Sequence, residues 1–202
     1  MKTMIKTVAA LAMCLMIAAA SYAQGIKFGV KAGADFSNWG GDDVENLNLD
    51  MNYGYHFGGF AEIPLTRVIN LESGLYLSRK GFRTKEEILG VKMDLNNTSS
   101  YLDLPVLAKY AVTRNYSLMF GPQFSYLLDN KLTLKAAGEK ESDNSVQGFN
   151  RFDLGLVAGM GYQFENGLLL STNYDFGLTT LDDETNMKVF NRVLKASVGY
   201  RF

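Results

Sequence analysis

Residues 26–37 read IKFGVKAGADFS. In an extended chain, Ile26, Phe28, Val30, Ala32, Ala34 and Phe36 share one face. Lys27, Gly29, Lys31, Gly33, Asp35 and Ser37 share the other. Successive side chains of a strand point to opposite faces, so period two held over twelve residues predicts a β-strand. The last residues, LKASVGYRF (194–202), repeat the pattern. Leu194, Ala196, Val198, Tyr200 and Phe202 alternate with Lys195, Ser197, Gly199 and Arg201, and the sequence closes on an aromatic ring.

Working outward from these two segments, six more alternate in the same way, at about 53–63, 69–80, 100–110, 115–128, 151–164 and 168–178. With 26–37 and 190–202 they make eight strands of roughly 10–13 residues. Soluble strands usually run about 5–6 residues, whereas strands that cross a bilayer in a barrel need about 9–11. The links alternate in length. Short ones fall at 64–68, 111–114 and 165–167, the last containing the tight-turn pair Asn166-Gly167. Long polar ones fall at about 38–52, 81–99, 129–149 and 179–189. This spacing predicts an all-β fold, an eight-stranded antiparallel up-and-down transmembrane barrel, with both termini on the short-turn, periplasmic side and four external loops.

Residues 1–23 are set apart. Lys2 and Lys6 precede an apolar core from Val8 to Ala20, and Ser21-Tyr22-Ala23 form a small-x-small triplet. That is the layout of a cleaved secretory signal peptide, with the cut between Ala23 and Gln24 and the barrel domain spanning 24–202. The one cysteine, Cys14, lies inside this segment. The exported chain therefore has no thiol for a disulfide or a thiolate metal site. Twenty basic residues against 21 acidic ones argue against nucleic-acid binding. Twenty glycines, 11 tyrosines and 13 phenylalanines with three prolines fit a β-rich chain.

Alternation alone does not say which face is inside. A soluble lipocalin-like binder also has eight alternating strands, but turns its apolar face inward. Here the aromatics sort to both ends of the apolar face. Phe28, Tyr110, Tyr116, Tyr162, Phe164, Tyr200 and Phe202 lie near the short turns, and Phe36, Tyr53, Tyr55, Phe57, Phe124, Tyr126, Phe152, Tyr174 and Phe176 near the long links. Aliphatic residues fill the band between. Two aromatic belts around an aliphatic band match a bilayer with two interfaces. The other face is glycine-rich and carries Lys27, Lys31, Lys80, Lys109, Lys195 and Arg201 against Asp35, Glu62, Glu72, Asp103, Asp153 and Asp175. Opposite charges in equal number suit an enclosed lumen, where an unpaired charge is costly. With His56 these twelve residues are expected to form a structural network. Pro105 and Pro122 fall inside strands and remove ladder donors, so bulges or local breaks are expected there.

The segments YLDLPVLAKY (101–110), GPQFSYLL (121–128) and VGYRF (198–202) resemble the PorT-like, or "porin family", outer-membrane barrels of the Bacteroidota. The resemblance spans 24–202. It implies a barrel fold in the cell outer membrane and brings no catalytic motif. The member that gives the family its name is linked to protein secretion and gliding.

Two other features invite an enzymatic or ligand reading. His56 is the only histidine, and lipid-modifying outer-membrane enzymes use such a base, but YGYHFGG shows no nucleophile and acid beside it. The acidic clusters GGDDVE (40–45) and LDDE (181–184) lack the spacing of a calcium loop and read as solvated loop charge. No catalytic residue, cofactor or metal is assigned. An eight-stranded lumen is filled by its own side chains, so no open pore is expected. The expected partners are outer-membrane lipid, the insertion machinery, for which Tyr200 and Phe202 form a C-terminal signal, and a surface or secretion-complex protein that meets the external loops.

Overall fold

The structure is a computed structural model that describes residues 25–41, 49–88, 91–136, 139–144, 149–181 and 188–202. Among these the chain forms nine strands: β1 (Lys27–Gly40), β2 (Leu49–Pro64), β3 (Ile69–Ile88), β4 (Val91–Ala111), β5 (Tyr116–Ala136), β6 (Glu139–Asn144), β7 (Phe152–Gln163), β8 (Leu168–Gly177) and β9 (Phe190–Arg201). All pairings are antiparallel. The ring runs β1-β2-β3-β4-β5-β7-β8-β9, and β9 returns to β1 from Gly29↔Arg201 to Gly40↔Phe190. Eight strands therefore close into a barrel with no free edge in its wall, as a bilayer requires. The ninth, β6, stands outside the ring and pairs with β5.

Side-chain direction follows the alternation. Phe28, Val30, Tyr53, Phe57, Leu104, Tyr116, Phe124, Leu170, Val198 and Phe202 are exposed on the outer face, while Lys31, Asp35, Glu72, Lys80, Asp103 and Lys195 are buried inside. This is the reverse of a lipocalin and rules that alternative out. The interior is mixed: Phe60, Leu107, Met119, Leu127, Val157 and Leu169 are also buried there, most of them in two small apolar clusters beside the charges.

Three expectations change. The first concerns two long links. Residues 81–88 and 91–99 continue β3 and β4 to the pair Ile88↔Val91, and β5 runs on to Ala136 before turning into β6. β4 and β5 have 21 residues each, roughly ten more than a bilayer crossing needs. The excess, with Leu49–Met51 of β2 paired to Phe82–Thr84, forms a sheet of β2-β3-β4-β5-β6 that stands beyond the long-loop end. Its residues are polar on both faces in many places, so hydrophobic alternation fades while the hydrogen-bonded ladder continues.

The second concerns the prolines, where the expected local breaks form but no bulge does. Pro105 lies opposite Gln123 and Pro122 opposite Leu156. The ladder merely skips: from Ser73↔Val106 to Tyr76↔Asp103 beside Pro105, and from Pro105↔Gln123 to Ala108↔Phe120 beside Pro122, with register kept. A missing donor removes one bond and does not demand an extra residue. The register shift on these strands falls at Ser100/Tyr101 instead. The third change, at Lys27, is described with the lumen.

Candidate functional site: the lumen and the two barrel ends

The ion pairs arise from which residues face each other across a narrow interior. Near the short turns, Glu62 and Glu72 are opposite on β2 and β3. Lys109 reaches both, at 2.7 Å and 3.3 Å. Lys31 pairs with Glu72 and lies 4.5 Å from the centre of the Phe60 ring. Arg201 Nη1 and Asn70 Nδ2 donate to Glu62 Oε1 at 3.2 Å and 2.8 Å. At mid-height, Asp103 accepts from Lys80 at 2.9 Å, from Lys195 at 3.2 Å and from Ser78 at 2.6 Å. Lys195 also pairs with Asp175 at 2.7 Å, and Gln123 donates to the same carboxylate at 3.2 Å. Asp153 accepts from Thr179 and Asn191, at 2.8 Å and 2.7 Å, but meets no cation among the described residues.

The structure thus brings together ten of the twelve charged residues assigned to the lumen as ion pairs or pairing partners, with Asp153 held by neutral donors. Lys27 is the exception and a correction: it is exposed at the short-turn mouth. Its Cα lies opposite Glu62. It is the first residue of β1, so its side chain lies at the rim, where water reaches it.

His56 has the neighbours that sequence reasoning did not find. Gly33 is opposite His56 on β2 and opposite Ser197 on β9. A Cβ at Gly33 would lie 2.7 Å from His56 Cε1 and 2.0 Å from the Ala196 carbonyl oxygen. Because Gly33 has no side chain, the imidazole lies across it. Nδ1 bonds Asp35 Oδ1 and Nε2 meets Ser197 Oγ at 2.9 Å. The three residues come from β1, β2 and β9, separated by 21 and 141 positions, and only the register of a closed barrel makes them adjacent.

This is the connectivity of a Ser-His-Asp relay, so its chemistry must be tested by access. A catalytic serine needs a substrate site and donors aimed at the developing oxyanion. Here all three side chains are buried, and the adjoining cavity holds about 30 Å³. Substrate pockets are usually about 300–1,000 Å³. The backbone around Ser197 is paired to β1 and β8, leaving no free amides for an oxyanion hole. The arrangement is buried hydrogen bonding in a filled lumen, and Asp35 Oδ2 has no hydrogen-bond partner among the described residues.

The two ends of the lumen differ. At the long-loop end, Trp39 packs on Phe82 with ring centres 4.1 Å apart and on Phe149 at 6.2 Å. Buried Leu181 and Val189 meet the same indole. Ser37 ties β1 to Gly81 through bonds of 2.9 Å to its amide and its carbonyl, and Gly81 has φ +155°, which favours glycine. Beneath, Asn97, Ser99 and Asn130 bond one another. At the short-turn end the mouth opens into a pocket of about 410 Å³. Tyr200 and Phe202 lie on the outer face there, rings 5.6 Å apart, and the Phe202 amide donates to the Phe28 carbonyl at 2.9 Å. Residues 1–24, and most of both acidic clusters, lie outside the described residues.

Residues 20–183 match the family described as outer membrane protein beta-barrel domain. The chain belongs to that family. Its barrel is therefore an outer-membrane barrel. Among solved structures it is similar to a major outer membrane protein from Thermus thermophilus, at 16% identity over 89% of this chain and 100% of that one, with a TM-score of 0.53. It is also similar to Ail, the attachment invasion locus protein of Yersinia pestis, at 16% identity over 87% of this chain and 98% of that one, with a TM-score of 0.50. At such identity the likeness concerns the fold alone. Among curated proteins, none matches.

Proposed function

We propose that the protein is a non-enzymatic outer-membrane barrel whose external sheet docks another protein at the cell surface. The observation that carries this is the sheet itself. β6 is its last strand and pairs with β5 alone among the described residues, so its other edge offers unpaired backbone groups. On the face continuous with the lumen, Leu132 and Leu134 are exposed beyond the barrel, with Leu95 opposite Leu134. An open edge beside an apolar face suits an added strand: main-chain bonds supply affinity and alternate side chains supply specificity. The neighbour Ail is named for attachment, which agrees with this reading. The PorT-like resemblance points the same surface toward an envelope or secretion complex.

The remaining assignments belong to the same reading. Residues 1–23 are cleaved between Ala23 and Gln24, both termini are periplasmic, and Tyr200 and Phe202 are read by the insertion machinery. The exposed rings of a strand already tied to β1 support the last point. Phe202→Asp should impair assembly and leave export intact.

A photo-crosslinking residue at Leu134 in intact cells tests the docking. One discrete protein adduct should form there, vanish with Leu132→Lys, and be absent from the lipid-facing site Val198. The same products at both positions, or an adduct indifferent to Leu132→Lys, would contradict the proposal. The enzymatic alternative has its own check: His56→Ala should leave the lipid A mass profile unchanged.

A further inference from the structure

Two cavities lie one after the other toward the short-turn rim, and their chemistries are opposite. The first is a groove of about 580 Å³ on the outer wall, crossing β1, β9, β8 and β7. Its floor is low because the outward residues there are small: Ala34, Ala196 and Thr172. Met160, Leu170 and Val198 stand beside it as walls, all exposed. Tyr116 and Tyr162, whose rings meet edge to face at 4.7 Å, form its lower end. The second cavity is the mouth pocket of about 410 Å³, whose charged lining is Lys27, Arg114, Arg201 and Glu165.

The two have no lining residue in common but follow one another along the strands. Tyr116 borders the groove, and Asn115 and Arg114 border the pocket; Tyr162 is followed by Gln163 and Phe164, and Val198 by Arg201. At about 3.3 Å per residue these steps span at most about 10 Å. Three cations face one acidic side chain. Arg201 gives one bond to Glu62, while neither Lys27 nor Arg114 meets a carboxylate among the described residues. The aromatic belt of Tyr116, Tyr162, Phe164, Tyr200 and Phe202 marks the level of the lipid headgroups. The groove therefore lies at hydrocarbon depth and the basic pocket at headgroup depth.

We infer that this wall seats one anionic phospholipid, an acyl chain in the groove and its phosphate against Lys27 and Arg114. A second copy of the chain would cover the groove but has no use for the basic pocket. A free anion would use the pocket but not the groove. Only an amphipathic anion fits both. The inference rests on the barrel's place in a bilayer and is independent of any partner at the opposite end.

The test is native mass spectrometry of the full-length mature barrel in detergent at low ionic strength. The probes are phosphatidylglycerol, phosphatidylcholine with the same chains, and inorganic phosphate. Basic side chains near a membrane surface each favour anionic lipid several-fold, so phosphatidylglycerol should be retained about tenfold over phosphatidylcholine. Lys27→Gln with Arg114→Gln should bring that ratio to about one. Ala196→Leu should reduce retention of both lipids about tenfold, with Ala34→Leu in its place if that variant does not fold. Millimolar phosphate should not compete. Equal retention of the two lipids by the wild type would overturn the inference, and so would unchanged binding in both variants. Displacement by phosphate with no effect of the groove variant would also overturn it, as a free-anion site. A heat-modifiability gel on each variant separates loss of the site from loss of the barrel.

Discussion

The two ends of the lumen are built from different chemistry. Near the short turns it is ionic and opens only at its rim: Glu62 and Glu72 share Lys109, Lys31 pairs with Glu72 and Arg201 with Glu62, all of them buried but Arg201, and the rim cation Lys27 faces water. At the long-loop end it is apolar and closed, by Trp39 on Phe82 with Leu181 and Val189 beneath. Between them lies the enclosed group around Asp103. A charge at the open rim can be rescued by solvent, and one just inside it by a second partner. A charge at mid-height has only its neighbours. The cost of breaking a pair should therefore depend on height in the barrel more than on the number of bonds drawn to it.

The largest effect should come from the middle. Asp103→Ala strips Lys80 and Lys195 of a shared carboxylate in a dry site, and should cost about 3–5 kcal/mol in denaturant unfolding from micelles. A loss under about 1 kcal/mol would mean that water reaches mid-barrel and the contrast with the ends is lost. Next comes the closed end. Trp39→Ala removes the indole that Phe82, Leu181 and Val189 pack on, and should cost about 3 kcal/mol, the lower end for such truncations because the ring is only part buried. It should also speed hydrogen exchange at the amide of Gly81 below it. Unchanged exchange would show that the plug does not seal the lumen. The smallest effect belongs to the open end: Lys27→Gln should shift stability by no more than about 0.5 kcal/mol. A cost like that of Asp103→Ala would place Lys27 in the network after all.

Much of this was legible in the sequence, for a physical reason. A bilayer outside and a narrow polar lumen inside impose period two, and the strand cores and faces follow from it. The overshoot of β3, β4 and β5 was not legible. Outside the bilayer neither face of a sheet must be apolar, so KMDLNNTSS pairs as a strand while reading as a loop. The Asp35–His56–Ser197 contact was hidden differently. Each residue's inward direction could be read, but the contact depends on Gly33 standing opposite both His56 and Ser197, which is a matter of register. Trp39 escaped notice because it lies where the first long link was expected to begin, and its partners come from three other stretches of chain.

The aromatic and aliphatic face meets lipid while the charges face the lumen. Single spin labels at Phe57, Leu104, Leu170 and Val198, in residues 24–202, which hold no native cysteine, reconstituted in bilayers, distinguish the two orientations. All four should be far more accessible to dissolved oxygen, which concentrates in hydrocarbon, than to a water-soluble nickel chelate. Preferential access of the chelate to these four sites would contradict the account.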